Sequence, residues 1–397
     1  MKRSFLLLAS VATVALSGCS NEEIANVETS MQNAIGFNVV GSNPGTRAVP
    51  TTPANLTSTD FDVFAFETGN TDKEISPFMG NAVGTDGVQI VYKENSWVYN
   101  DPAELAYWPT TALDFYAVNP ATSDLHTNSL FFWNIKSNSQ TITYMAVDGL
   151  ATTHSGVNHD VMYATAFNQT KAPNNGKVKL TFKHALSQVL FKAKTESSSI
   201  KVQVRNVEIH NIKFSGTFTF PKQNVDVAQS NWMLRDITSL NKFHAIPEKA
   251  EGTKGIAVEV SGEQEAVWLS KEDNTLMVLP QTLTKWATTP TSAVTKSQGD
   301  TDLQCYLSIE CTIAQNGSLI VGGKGTDDML GTEDDVYGTI YIPFGAEWQP
   351  GYRYIYTLIF GGGYDDQGKP ILTPIEFEPE VTPWTDEEID SKFVTTD

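Results

Sequence analysis

The sequence predicts an all-β protein of the sandwich class with few, short helices. Nearly every segment alternates apolar and polar residues with a period of two, and Gly, Pro, Asn and Asp turns separate the segments. The strands are too many and too short for one open sheet, so we expect packed pairs of sheets.

The predicted strands follow one another along the whole chain. They are Ala34–Val40, 61–66, 87–93, 96–99, 112–118, 141–147, 177–194, 200–214 and 337–344. Helical patterns are limited to 101–108 and, more weakly, 262–269. The alternating segment LQCYLSIECTI indicates a further strand, in which Cys305 and Cys311 are interpreted as buried small hydrophobic residues. Six residues of strand span ~20 Å at about 3.3 Å per residue, which is too far for a disulfide.

The first residues have the pattern of a bacterial export signal. Lys2 and Arg3 precede an apolar stretch, 5–16, that is too short to remain as a membrane-spanning helix. The following Leu-Ser-Gly-Cys resembles a lipobox, which implies that residues 1–18 are removed and that Cys19 receives the lipid. An ordinary signal peptide with a chance cysteine is the alternative. Lipid chains anchor a protein at ~0.8 kcal/mol per buried methylene group, so no membrane-spanning helix is needed.

Length and composition favour two folded domains. The chain has 397 residues, of which 40% are apolar and 10% aromatic, so it is not a disordered protein. A polar run at 195–199 separates two strand-rich blocks, and we predict domains at 48–196 and 197–397. The pattern places the boundary between them to within about ten residues.

The charge excludes nucleic acid as a partner. Without Lys2 and Arg3, the 27 basic residues become 25 against 46 acidic ones, a net charge of about −21. A charge of this sign repels phosphate backbones and anionic lipid surfaces.

No motif for catalysis, a cofactor or a firm metal site is present. The six histidines show no zinc-binding spacing, and there is no Gly-x-Ser-x-Gly motif, so no enzyme activity or cofactor is predicted. The loop GTDDMLGTEDDVYG is a weak calcium candidate because carboxylates are the ligands that calcium prefers, although its spacing differs from an EF-hand. A solvated hairpin tip is the alternative. The carboxylates concerned are Asp327, Asp328, Glu333, Asp334 and Asp335.

The first predicted strand lies beside a solitary basic residue. Ile35, Phe37 and Val39 alternate along the strand, which runs into a Gly-Ser-Asn-Pro-Gly turn. Arg47 follows the turn, and it is the only arginine between Arg3 and Arg205.

Several phrases, in order, resemble the fimbrillin family, the subunits of type V pili and related surface lipoproteins. They are FDVFAF (61–66), YWP (107–109), DFYAVNP (114–120), HDVMYA (159–164), VKLTFKHALSQVLFKAK (178–194), LMVLPQTL (276–283), WQPGYRYIYTLIF (348–360) and VTPW (381–384). The resemblance implies two tandem β-sandwich domains of transthyretin-like, Greek-key topology. It also implies a location at the cell surface, in the outer membrane or in a fimbria.

The resemblance further implies how the subunit matures and assembles. A protease cuts after Arg47, so that Ala48 becomes the new N-terminus and 19–47 is a propeptide with the removable strand. A strand from another fimbrial subunit, identical or homologous, then fills the vacated groove. Strand addition of this kind is a known mode of recognition.

Two C-terminal segments are candidates for the donated strand. The first is 370–384, whose alternating apolar positions include Ile371, Ile375, Phe377 and Val381. Its prolines at 374, 379 and 383 are tolerated only in an edge or inserted strand. The tail, 386–397, is the second candidate.

The alternative function is a lipid-anchored surface protein that does not polymerise. It would be a tip or anchor subunit, or an adhesin whose partner is a glycan or another ligand on a host or bacterial surface. A hydrolase is disfavoured because no acid–base pair or nucleophile is apparent.

Overall fold

The all-β prediction is confirmed: the chain folds into several antiparallel-rich sheets with little helix. The computed structural model describes residues 33–41, 59–69, 77–80, 87–121, 131–136, 139–148, 150, 159–222, 227–246, 258–260, 265–270, 275–329, 334–361, 363–371 and 376–383. Among its helices, none combines the length and the hydropathy needed to cross a bilayer.

The strands are numbered in chain order. They are β1 (Gly36–Gly41), β2 (Phe61–Glu67), β3 (Val88–Lys93), β4 (Ser96–Tyr99), β5 (Leu113–Asn119), β6 (Phe131–Lys136), β7 (Ser139–Met145), β8 (Met162–Gln169), β9 (Lys177–His184), β10 (Ser187–Thr195), β11 (Ile200–His210), β12 (Ser215–Thr219), β13 (Trp232–Leu234), β14 (Lys242–His244), β15 (Val258–Val260), β16 (Val267–Trp268), β17 (Leu276–Val278), β18 (Tyr306–Gln315), β19 (Ser318–Val321), β20 (Gly338–Pro343), β21 (Tyr352–Phe360) and β22 (Glu376–Pro383). One α-helix, α1 (Lys296–Thr301), and three short 3-10 turns (Pro102–Glu104, Ala172–Asn174 and Gln229–Asn231) complete the regular elements described.

The first sheet has seven strands in the order β1-β9-β8-β5-β2-β3-β4, and its inner strand β2 is buried on both faces. In β2, Val63 contributes to one core while Phe64 contributes to the other, because successive side chains of a strand point to opposite faces. The core on the face of the sheet to which Val63 points also holds Ile35 and Phe37, and we call it the inner core. The two-sided burial explains why β2 is apolar at nearly every position.

A four-stranded sheet, β13-β12-β7-β6, packs on the other face of the first sheet. Tyr163 of β8 and Phe218 of β12 have ring centroids 5.1 Å apart, and Tyr116 lies 5.6 Å from Phe220. Strand β12 follows residue 196 in the chain, yet it pairs with β7. The division at 196–197 stays a prediction, and this sheet combines segments from both sides of it.

The remaining strands form two sheets in the second half of the chain. In one, β10 is central, with β21 parallel on one side and β16 and β17 on the other, and β22 lies at the edge. In the other, β11 and β18 form the centre, flanked by β14, β15, β19 and β20. Both sheets contribute to the main core, which includes the fully buried Trp348.

The segment 177–194, predicted as one strand, is two strands in different sheets. The chain turns at Ala185 and Leu186, both fully buried, so that β9 lies in the first sheet and β10 in another. His184, at the end of β9, is buried and lies 3.0 Å from the Asp160 carboxylate. His184 is therefore a packed, hydrogen-bonded residue of the interior.

The helix predictions are largely wrong. Segment 101–108 contains only the turn Pro102–Glu104, which Asp101 caps through the Ala103 N–H, and Tyr107 then bridges to Ala34. Within 262–269, Val267 and Trp268 form β16 instead of a helix, because they pair with β10. Helix α1 was not predicted, since its sequence, KSQGDT, has no apolar periodicity.

Cys305 and Cys311 are buried free thiols in and beside β18. Burial raises the pKa of both thiols, so they stay protonated and unreactive.

Candidate functional site

The candidate site is the position of β1 at the edge of the first sheet. Strand β1 runs parallel to β9, with Gly36 opposite Lys177, Phe37 opposite Val178 and Asn38 opposite Lys179. A parallel pair requires a long connection, and here more than 130 residues separate the partners. Only tertiary structure brings these two strands together.

The first residues of this segment are hydrogen-bonded on two sides. On one side, the Gly36 N–H donates to the Gly176 carbonyl oxygen at 2.9 Å. On the other, the Ile35 N–H donates to the Ala106 carbonyl oxygen at 2.9 Å, and the Trp108 N–H donates to the Asn33 carbonyl oxygen at 3.0 Å. The backbone N–H groups therefore alternate in direction. Those of residues with outward side chains point to β9, and those of residues with inward side chains point to the 105–108 segment.

The inward side chains of β1 and of Ile35, the residue before it, fill part of the inner core. Ile35 is fully buried and Phe37 is 4% exposed. The Phe37 ring lies 6.0 Å from Phe61, 6.1 Å from Tyr99 and 6.3 Å from Phe115, measured between ring centroids. Val39 is partly buried against the same core. The predicted alternation of these three residues is thus present, with their side chains towards the interior.

Aromatic side chains from β4 and from the segment before β5 border this position. The Trp108 indole N–H donates to the Gly176 carbonyl oxygen at 3.0 Å, and its ring packs 6.0 Å from Phe115. The Tyr99 hydroxyl donates to the Ile35 carbonyl oxygen at 2.9 Å, and burial raises the pKa of this hydroxyl, so it remains a donor at any physiological pH. We call the space filled by Ile35, Phe37 and Val39 the strand slot.

The processing residues predicted from the sequence lie outside the described residues. Cys19, Arg47 and Ala48 belong to this group. The described part of β1 ends at Gly41, six residues before Arg47.

The first donor candidate is the edge strand β22 and the residues before it. Ile371 packs against the main core, and its N–H donates to the Gly363 carbonyl oxygen at 2.7 Å. Strand β22 pairs antiparallel with β21, with Glu376 opposite Ile359. Phe377 and Val381 lie on this strand, whereas Ile375 and the second candidate, 386–397, are outside the described residues.

The acidic loop does not assemble its carboxylates around one point. Asp334 accepts hydrogen bonds from the Thr326 N–H and hydroxyl, Asp328 pairs with Lys324 at 3.0 Å, and Asp327 accepts from the Met329 N–H. Asp335 is buried, and Glu333 is outside the described residues. In the part of the chain that the structure describes, no three potential metal ligands are grouped.

A buried polar network between β11, β14 and β18 was missed by the sequence analysis. The Glu208 carboxylate lies 2.6 Å from the Lys242 ammonium group and 3.4 Å from His244, and His244 lies 2.6 Å from Asp148. Burial alone would raise the Glu208 pKa, but hydrogen bonds from His210 and Lys242 outweigh it and lower the value to about 2. The alternation of Glu208 and His210 on one strand was the available signal.

Comparison with known families adds an independent finding. A family model described as fimbrillin-like matches residues 46–384. No curated protein gives a significant match.

Comparison with solved structures finds similar folds at low identity. A fimbrial protein from Bacteroides vulgatus is 16% identical with a TM-score of 0.56, over 89% of this chain and all of that one. The tip fimbrial protein Mfa3 from Porphyromonas gingivalis, with a C-terminal truncation, is 9% identical with a TM-score of 0.32, over 82% of this chain and 94% of that one. The first match supports the fold, whereas the second is too distant to carry an argument.

Proposed function

The chain belongs to the fimbrillin-like family of structural adhesion proteins, which are not enzymes, and from this membership we propose a specific role at the cell surface. It is a structural and adhesive subunit of type V fimbriae, exported as a lipoprotein with Cys19 as the lipid attachment site. Cleavage after Arg47 releases β1, and the strand slot then receives a strand from another fimbrial subunit.

One observation carries this proposal: the strand just before Arg47 supplies core residues from the edge of its sheet. Ile35 and Phe37 are almost fully buried, so losing them uncovers apolar surface. Burial of such side chains contributes ~1.5–3 kcal/mol each, and each backbone hydrogen bond adds ~0.5–1.5 kcal/mol. An empty slot is therefore unfavourable and favours a replacement strand of similar character.

Cleavage changes the balance between the two possible occupants. While the loop is intact, β1 is tethered to its slot at a high effective concentration, and an intermolecular strand cannot compete. Once the chain is cut after Arg47, β1 can diffuse away, and the strand of a neighbouring subunit competes on equal terms. The incoming strand makes contacts of the kind that β1 made before it left. These contacts offset an association cost of about 4–15 kcal/mol.

The test is treatment of the purified protein with an arginine-specific protease. We expect a stable product that begins at Ala48, followed by a ladder of bands on a gel of unboiled sample that collapses to one band on boiling. The matched control is Arg47→Gln, which keeps the arginines at 205, 235 and 353 and should neither lose the strand nor polymerise.

Two results would contradict the proposal. The first is initial cleavage at Arg235, which is exposed after β13, instead of at Arg47. The second is clean cleavage after Arg47 with only monomer on the unboiled gel, which supports a non-polymerising surface lipoprotein.

A further inference from the structure

The first strand and one of the donor candidates share a short sequence pattern. β1 and the residue before it read Ile35-Gly36-Phe37-Asn38-Val39, and the segment around β22 reads Ile-Glu-Phe-Glu-Pro from Ile375 to Pro379. Both contain Ile-x-Phe. When the two segments are superimposed on this motif, Phe377 takes the position of Phe37 opposite Val178.

The outward face of β9 is a row of cationic side chains beside the strand slot. Lys177 and Lys179 are exposed, whereas the intervening Val178 and Leu180 are buried in the inner core. Neither of these two lysines has an ion-pair partner among the described residues. We call Lys177, Lys179 and Lys183, which share this face, the lysine row.

The present occupant of the slot does not use this charge. Gly36 lies opposite Lys177 and Asn38 opposite Lys179, so β1 presents neutral residues to both lysines. A cavity of about 360 Å³, lined in part by Lys179, Thr181 and Lys183, borders the row on the β8 side, and no strand in the described part of the chain fills it.

Resting on the proposed strand exchange, we infer that the lysine row selects residues 375–381 of a second copy of this chain as the donated strand and sets its register. Glu376 then lies opposite Lys177 and Glu378 opposite Lys179, while Ile375 and Phe377 take the places of Ile35 and Phe37. Opposite charges at facing positions of neighbouring strands stabilise their pairing. The tail 386–397, which has no Ile-x-Phe motif, is not the donated strand.

The proline at 379 agrees with this register. In the slot, outward residues aim their N–H at β9, as Gly36 does, and inward residues aim theirs away, as Ile35 does. Pro379 would occupy the inward position of Val39, where its missing N–H costs no hydrogen bond to β9. A shift by one residue would put Pro379 at a position whose N–H must bond to β9. It would also turn the glutamates into the inner core, so this register is disfavoured for two separate reasons.

Donation requires β22 to leave its own sheet. Among the described strands it is an edge strand that pairs with β21 alone, so its release opens a single ladder. Ile371, which packs against the main core, remains the anchor from which the released segment extends to the neighbouring subunit.

The experiment measures binding of two labelled peptides, 370–384 and 386–397, to protein from which residues up to Arg47 have been removed by protease. We expect the first peptide to bind the cleaved protein but not the uncleaved protein, and the second to bind neither. Lys177→Glu/Lys179→Glu should weaken binding of the first peptide on the order of tenfold. The exchanged peptide, Glu376→Lys/Glu378→Lys, should restore it.

Two controls make the result specific. Lys201→Glu/Lys285→Glu changes the net charge equally at exposed sites on other segments and should leave binding unchanged. In the peptide, Glu378→Pro should abolish binding because it removes an N–H that faces β9, whereas Pro379→Ala should not weaken it.

The outcomes separate the two proposals. If the cleaved protein neither polymerises nor binds either peptide, strand exchange itself is wrong. Polymerisation together with binding of the 386–397 peptide overturns the choice of donor alone. If the 370–384 peptide binds with the same affinity to the Lys177→Glu/Lys179→Glu protein, the lysine row does not select the strand or set its register.

Discussion

The hydroxyl of Tyr99 donates a 2.9 Å hydrogen bond to the carbonyl oxygen of Ile35 across the edge of the first sheet. Tyr99 lies on β4, at the opposite end of the sheet order from β1, so this bond joins the two edges. It holds β1 from the side that β9 does not reach.

We expect Tyr99→Phe to loosen β1 without disturbing the core. The ring that packs against Phe37 is kept, and only the hydrogen bond to Ile35 is lost, which costs about 1 kcal/mol. After cleavage at Arg47, the strand should then leave about fivefold faster. The rate is measured by mass spectrometry of the released fragment. Tyr92→Phe, on the neighbouring strand β3, is the control, and an equal acceleration in it would rule out this role for the bond.

Phe37→Ala should destabilise the intact protein by about 3–5 kcal/mol. The side chain is buried among three aromatic rings that cannot fully close the cavity it leaves. Chemical denaturation measures the change in the free energy of unfolding. Asn38→Ala, at the adjacent exposed position, should stay within about 0.5 kcal/mol of wild type. Similar losses in both variants would mean that β1 does not contribute to the core.

Glu208→Gln should lower stability at neutral pH and have progressively less effect in acid. Burial by itself raises the pKa of Glu208, but His210 and Lys242 together outweigh it and lower the pKa from an ordinary 4.5 to about 2. A lowered native pKa gives stability that is complete above pH 4.5 and is lost as the pH falls towards 2. Thermal unfolding between neutral pH and pH 2.5 tests this. The control is Glu310→Gln, at a more exposed ion pair with Arg205, and it should change the stability little. If Glu208→Gln lowers the stability by the same amount at every pH, the account is contradicted.

Calcium should not change the melting temperature. In the acidic loop, Asp327, Asp328 and Asp334 already accept hydrogen bonds or pair with Lys324, and they do not converge on one point. Differential scanning calorimetry in calcium and in a chelator should give superimposable curves. A rise with calcium that is lost in Asp334→Asn would show that the loop binds the ion.

The strands near the slot were predictable because their patterns are local. The alternation of Ile35, Phe37 and Val39 is visible in the sequence, and so is β2 as an apolar segment. Their partners were not predictable, because β1 pairs with a strand far along the chain and that choice depends on tertiary packing. The turn at Ala185 was hidden because both β9 and β10 continue the same alternation, and a buried apolar turn has no Gly or Pro signal.

The candidate site was predicted in part. The sequence and its family resemblance predicted a removable first strand, but two donor segments remained open. The sequences Ile35-x-Phe37 and Ile375-x-Phe377 match, but the match alone does not favour one donor. The register adds the argument, because it places Lys177 and Lys179 opposite the residues between and after these apolar positions. That register is a property of the fold and has no local signature.

The most direct test of the central claim is the intact mass of subunits recovered from the polymer. Protein cleaved with the arginine-specific protease is allowed to assemble, the ladder is isolated from an unboiled gel, and its subunits are weighed after boiling. If β1 is replaced during assembly, the polymer contains only chains that begin at Ala48 and no fragment ending at Arg47. If the fragment with Ile35 and Phe37 is recovered in equal amount with the chains, the slot was never vacated and the account is wrong.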